Sequence, residues 1–521
     1  MSGKIYQAKE ITEDLYLTPD VCVIGSGAGG AVAAAKFAAA GKSVVVLEEG
    51  GYFTKKDFTM REGEMSPKLY QDRGSRATSD LSMIILQGRT VGGTTTVNLG
   101  SSLRTPGPVL DYWKKSYGVQ GFTLWDLEAP FDEVEDRLNI HPVMEGDVNV
   151  NNQVLLEGAQ KLNLEYSLLK RNVGRCMGLG MCSLGCPINA KRSMHLTYLQ
   201  DAVSNDALIF ANCSVKRLVP DGGRIVEVQG VFLNEPEDAS VGPRISALPH
   251  KVSVRPKVVV LAGGAINSPG LLLRSKLRDL YLRTGKHTFF HPILITTGIF
   301  DRPIRSYEGI PQTVAVKRAP EGSRMGYAIY TLAVHPRQAA TGMAGFGFHH
   351  RKIMKEISNL NVLIGHIIDG FDRSEQGGTV SITKEGGLKI DYAYTPQFWA
   401  TAKVMMKEMA QIQFAAGARE VVTGHEEPIH LFSEKELYKI QDASFEPLKV
   451  FMATAHQMGG CAIGRDSSVS VVNSDLRHWQ YENLYVIDGS IFPTSVSVNP
   501  QETICAFATL ASQRIIERKG V

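Results

Sequence analysis

The sequence predicts an α/β chain, α+β as a whole, in which a parallel sheet flanked by helices is joined to a second, mainly antiparallel domain. Three observations predict it. Asp20 to Gly51, DVCVIGSGAGGAVAAAKFAAAGKSVVVLEEGG, runs from a short apolar stretch through glycines into an alanine-rich helix and out to a second apolar stretch. Far downstream, KVVVLAGGAINSPGLLLRSK (Lys257–Lys276) repeats the order of buried strand, glycine turn and helix. Between Ile299 and Leu431 the pattern alternates instead, with YAIYTLAVH, NVLIGHIIDGF and KIDYAYT as candidate strands.

The first stretch carries G-x-G-x-x-G between strand and helix. Gly25 permits a tight turn, Gly27 lets backbone approach a pyrophosphate, and Gly30 allows the helix to pack closely on the strand. The helix N-terminus offers unpaired N–H groups and partial positive charge to phosphates. Glu48 ends the second strand, 23 residues past Gly25, where a carboxylate can accept from ribose hydroxyls. An acid there favours an unphosphorylated ribose, hence FAD or NAD over NADP. The domain is therefore expected to be of Rossmann type.

A second glycine cluster, QGRTVGGTTTVNLGSSLRTP (Gln87–Pro106), suits backbone passing close to a flat cofactor. The expected division is a discontinuous dinucleotide-binding domain (1–110, 190–298 and 440–521), a cysteine-containing insertion (111–189) and a substrate domain (299–439). Polar Glu434–Ala443 reads as the link back. A chain of 521 residues needs more than one core.

Composition narrows the function classes. Formal net charge is +3 and no long basic run occurs, which argues against nucleic acid. No apolar run reaches 18 residues, so no transmembrane segment is expected, although peripheral membrane contact stays open. The polar N-terminus and seven cysteines point to a reducing compartment, with the cytoplasm as default.

The C-terminal segment carries the chemistry. AHQMGGCAIG (Ala455–Gly464) precedes NLYVIDGSIFPTSVSVNPQETICAFATLASQRIIERKG (Asn483–Gly520). Asn483–Ile487 reads as a strand, Asp488-Gly489 as a turn, and Asn499 as a helix N-cap with Pro500 at the first helical position. Ile504, Phe507, Ala508, Ala511 and Ile515 form one apolar helix face.

These blocks, in this order, resemble the glucose–methanol–choline (GMC) oxidoreductase family over nearly the whole chain. The H-x-x-G-G-C and V-N-P pairing is most similar to its cholesterol oxidase and long-chain alcohol oxidoreductase branch. The resemblance implies FAD as cofactor and oxidation of a primary or secondary alcohol by hydride transfer to flavin N5. It makes His456 the general base and Asn499 the donor to the alcohol oxygen. It places Gly92, Gly93 and Asn98 along the flavin edge, and Asp488, Gly489 and Gln501 at the ribityl and pyrimidine end. His291 reads as structural and His366 as a core residue. Nothing local marks Glu356 as the carboxylate that assists cholesterol oxidases.

Between Arg175 and Lys191, RCMGLGMCSLGCPINAK sets Cys176, Cys182 and Cys186 at C-x5-C-x3-C. Pro187, Ala190, Lys191 and Ser193 resemble a block in the long-chain alcohol oxidoreductases. The three cysteines also resemble the ligands of a [3Fe–4S] cluster in the flavin subunit of bacterial sugar dehydrogenases. A loop of small buried thiols, a zinc site completed by His195 or Cys213, and a regulatory disulfide stay open beside the cluster. A cluster implies a sugar or polyol dehydrogenase feeding a cytochrome, quinone or partner protein; without it, oxygen is the expected acceptor for a lipophilic, long-chain or sterol-like alcohol.

Overall fold

The computed structural model describes residues 3–234, 246–319, 325–343, 345–372 and 375–519. Its dinucleotide-binding part is built on a six-stranded, all-parallel sheet. The strand order is Lys4–Tyr6, Leu208–Phe210, Val44–Leu47, Val21–Ile24, Val258–Leu261, Leu484–Val486. The three central strands are buried along their whole length, as a sheet covered on both faces requires. The alanine-rich helix Ala28–Ala39 packs against the C-terminal helix Gln501–Lys519, and small residues on the first let the axes approach. A meander of Cys213–Asp221, Arg224–Asn234 and Ser246–Val254 adds a second sheet, extended by Leu15–Leu17.

The second domain centres on a nine-stranded sheet. Its main path is His430–Leu431, Glu420–Thr423, Ile293–Ile299, Leu360–Ile367, Tyr327–Thr331, Val314–Arg318 and Tyr166–Leu168, antiparallel throughout. Two of the candidate strands lie in it. The third, Leu388–Tyr392, pairs instead with Gly378–Ile382 in a separate four-stranded sheet.

The sheets depart from the sequence boundaries at two places. Ile293–Ile299 falls within 190–298 plus one residue, yet it is a central strand of the antiparallel sheet, and Tyr166–Leu168 reaches that sheet from within 111–189. An apolar run such as ILITTGI signals burial and is silent about which sheet supplies it. One long helix, Pro396–Ala415, sits in a region expected to be mainly antiparallel sheet. Thr395 caps it by accepting from Phe398 N, with Pro396 following, and Phe398, Ala402, Met405, Met409 and Ile412 bury its inner face against the sheet. Glu434–Ala443 is more than a link: its Leu437 and Ile440 join that same core.

Candidate functional site

A cavity of about 740 Å³ runs from the parallel sheet into the antiparallel domain. Its first limb is walled by the glycine fingerprint. Gly25 has φ +100°, and a Cβ there would lie 2.3 Å from the carbonyl oxygen of Ala262. Gly93 has φ +55°, and a Cβ there would lie 2.7 Å from the Cα of Gly27. The two glycine blocks are therefore in contact, and Gly93 tolerates no side chain where they meet. Ser26 locks the corner: its N and Oγ donate to Glu48 at 2.9 and 2.7 Å, and its Oγ accepts from Gly92 N at 3.0 Å.

Gly25, Gly27, Glu48, Gly93, Asn98, Asp488, Gly489, Gln501, His456 and Asn499 all line this one cavity. Gly30 and Gly92 stand behind its wall and act by packing. Glu48 also accepts from Gly50 N at 2.8 Å, and burial raises its pKa. Asp488 accepts from Gly264 N and Ser268 Oγ at 2.8 and 2.5 Å and from Ser490 N at 2.8 Å, tying the second glycine turn to the C-terminal segment. Asn98 donates to Gln501 Oε1, which leaves Asn98 Oδ1 and Gln501 Nε2 buried without a protein partner. Unmatched buried polar atoms beside a glycine cradle and two helix N-termini fit a flat, hydrogen-bonding cofactor with a pyrophosphate.

The second limb holds the catalytic candidates. Asn499 does not cap the C-terminal helix, because Pro500 supplies the carbonyl that accepts from Ile504 N at 2.9 Å. The Asn499 side chain turns into the cavity instead, with Nδ2 3.2 Å from His456 Nε2 and Oδ1 unpartnered. An amide nitrogen only donates, so Nε2 of His456 is the accepting nitrogen and its proton sits on Nδ1. That Nδ1 lies 3.2 Å from Nδ1 of His291, so one ring donates and the other accepts. His366 completes the group, its ring 5.1 Å from that of His456. Burial depresses the pKa of all three histidines, His456 to about 4.

His291 and His366, read from sequence as structural and core residues, are thus both at the candidate base. The H-P dipeptide at 291–292 was the signal, and its meaning depended on Asp369. That carboxylate accepts from Phe290 N and His291 N at 2.9 and 3.2 Å and holds the turn, where His291 has φ +44°. Glu356 lies elsewhere, paired with Arg419 on the surface. Beyond His456 the cavity is walled by Ile293, Ile295, Leu332, Ala333 and Ile364, an apolar passage.

The cysteine loop behaves differently. None of Cys176, Cys182 and Cys186 lines the large cavity. All seven cysteines are free, and among the described residues no group of three or more His, Cys, Asp or Glu is arranged to hold a metal ion. The expectation of a [3Fe–4S] cluster, and that of zinc with His195 or Cys213, therefore gains no support. Cys182 Sγ accepts from Arg171 at 3.6 Å, Cys186 Sγ accepts from Ala190 N at 3.2 Å, and Cys176 faces a separate small cavity. Lys191 does the structural work here. Fully buried, it donates to the carbonyls of Thr96, Asn98 and Cys182 at 2.8, 2.7 and 2.8 Å, and burial pulls its pKa down to about 8. The loop is thereby fastened to the back of the Asn98 wall.

Comparison with known proteins shows the family. The GMC oxidoreductase model matches residues 66–293 with its N-terminal part and 374–508 with its C-terminal part, and an FAD binding domain matches 20–65. A long-chain-alcohol oxidase of Arabidopsis thaliana is 30% identical over 98% of this chain and 69% of its own length. A cholesterol oxidase of Acinetobacter baumannii is 22% identical, over 95% of this chain and 94% of its own. Among solved structures, pyridoxine 4-oxidase superposes with a TM-score of 0.72 at 16% identity, covering 96% of this chain and 99% of that one. Among the described residues no helix is long and apolar enough to cross a membrane. The chain belongs to the GMC oxidoreductase family and is an FAD-dependent oxidoreductase.

Proposed function

We propose that this chain oxidises a lipophilic alcohol, long-chain or sterol-like, to the aldehyde or ketone and passes the electrons to oxygen. The observation that carries the reading is the His456–Asn499 pair, held 3.2 Å apart where the apolar passage meets the cofactor limb of the same cavity. FAD held by the glycine cradle supplies the hydride acceptor. His456 takes the hydroxyl proton at Nε2, the nitrogen left unprotonated by the Asn499 contact. Asn499 donates to the alcohol oxygen as charge develops on it. His291 positions the base by fixing the proton on its Nδ1. Neutral histidines and the apolar wall of Ile293, Ile295, Leu332, Ala333 and Ile364 beside them favour a long alkyl or ring substrate over a hexose.

Relatives that are long-chain-alcohol and cholesterol oxidases support both the substrate class and the acceptor. The test is anaerobic mixing with dodecanol and, separately, with glucose. Loss of the oxidised flavin absorbance with dodecanol alone, and peroxide formation on admitting oxygen, is expected. Reduction by glucose alone would overturn the substrate reading.

A further inference from the structure

We propose that the apolar passage opens at a surface built to rest on an anionic lipid bilayer, with the Gly345–Phe348 turn as its inserting element. The passage leaves the protein beside Arg337, Gln338 and Thr341, exposed residues of the helix Pro336–Gly342 that line its outer end. Just beyond that helix, Gly345 (φ +94°) and Gly347 (φ +66°) carry the chain through left-handed backbone. Phe346 stands between them, 91% exposed, with Phe348 beside it at 76%. An aromatic side chain as open as Phe346, four residues past cavity-lining Gly342, marks an interaction surface rather than a packing fault.

The rim continues the pattern on two further segments. His335, which precedes the helix, lies 3.2 Å through Nε2 from the carbonyl oxygen of Gly180, and on that loop Met177 is exposed and Leu179 partly so. Glu62 accepts from Arg337 N and Gln338 N at 2.7 and 2.9 Å, bringing exposed Met60 to the same edge. Three separate parts of the chain thus present apolar side chains around one opening.

Charge selects the partner. The helix Gly347–Lys355 buries Ile353 against Ile299, Leu360 and Val422 and leaves Arg351, Lys352 and Lys355 exposed. Its single following acid, Glu356, is taken up by Arg419. An exposed aromatic turn leading into a short basic helix is the make-up of an in-plane membrane contact: apolar groups enter the headgroup boundary while cations meet anionic lipid. With no described helix able to span, the contact is peripheral. That the surface also delivers substrate rests on the lipophilic-alcohol reading; docking itself does not.

Sedimentation of the FAD-loaded enzyme with phosphatidylcholine vesicles, with and without phosphatidylglycerol, tests the proposal without any substrate. Binding to the anionic vesicles is expected, weakened by added salt and about tenfold or more by F346S/F348S, while flavin content and turnover of a short soluble alcohol stay unchanged. The charge reversal R351E/K352E should abolish the preference for anionic lipid independently of the aromatic pair. The proposal is overturned if the wild type stays in the supernatant, or if both variants bind as the wild type does. It is equally overturned if the wild type is a dimer that the aromatic substitutions dissociate, the face then belonging to a second copy.

Discussion

The wall at His456 and the loop at Cys176–Cys186 each gather reactive side chains, and they differ in what those side chains meet. At the wall, His366, His456 and Asn499 converge on one cavity from three distant segments, His291 from a fourth stands against His456, and Asn499 Oδ1 and the Nε2 atoms of His291 and His366 are unpartnered. In the loop, neighbours in sequence turn to different surroundings, and their environment is cationic, from buried Arg171 and Lys191. Close spacing in sequence therefore marks chemistry less reliably than convergence on a shared space. On the proposed reading the wall holds function, and the loop, through Lys191, holds the wall in place.

The sharpest way to break this contrast is His456→Ala. Loss of the general base should slow flavin reduction about 10²–10⁴-fold while FAD stays bound, read by anaerobic rapid mixing. Asn499→Ala removes one donor to the developing oxyanion, and a fall of about 10²-fold in the same rate constant is expected. Asn499→Asp sets a carboxylate against the imidazole and should raise the pKa of His456.

That change is visible in the pH profile. In the wild type, His456 is neutral above about pH 4, so the reduction rate should hold steady down to weakly acidic pH and fall as pH drops through about 4. The Asp variant should lose rate at higher pH. The same burial has a stability consequence. Folded-state pKa values of His291, His366 and His456 lie below the unfolded value near 6.5, so the unfolded chain binds more protons beneath that pH. Stability attributable to them is complete above about 6.5 and declines as pH falls from there toward 4, measurable by urea unfolding at stepped pH.

Lys191→Met probes the other region. Leaving three buried carbonyls without their donor should cost about 3 kcal/mol or more and loosen FAD, since the Asn98 wall loses its anchor. Smallest of all should be the triple change of Cys176, Cys182 and Cys186 to Ser. Flavin reduction should stay within about twofold of wild type, with about 1 kcal/mol lost at buried Cys182. Stoichiometric iron in protein made anaerobically, lost in the serine variant, would reverse the assignment of this loop.

Legibility in the sequence followed the same division. Three strands of the parallel sheet could be read because a glycine turn follows each, as at Gly25, Gly264 and Gly489, whereas Leu208–Phe210 adjoins no glycine. The pairing of His456 with Asn499 could be read from ordered blocks, and of the two roles expected of Asn499 the helix cap is the one the structure does not show, since Pro500 supplies the carbonyl that accepts from Ile504 N. His291 and His366 escaped because a histidine on an apolar strand looks the same in a core as beside a cavity. The helix Pro396–Ala415 was signalled by Thr395-Pro396 and a run of methionines at helical spacing, masked by the alternating strands on either side.

The central claim is that His456 is the base and the flavin site is independent of it. Anaerobic mixing of FAD-loaded His456→Ala with dodecanol tests it most directly. The account predicts full flavin content with absorbance loss slowed at least about a hundredfold. Bleaching at the wild-type rate by a variant of equal flavin content would contradict it.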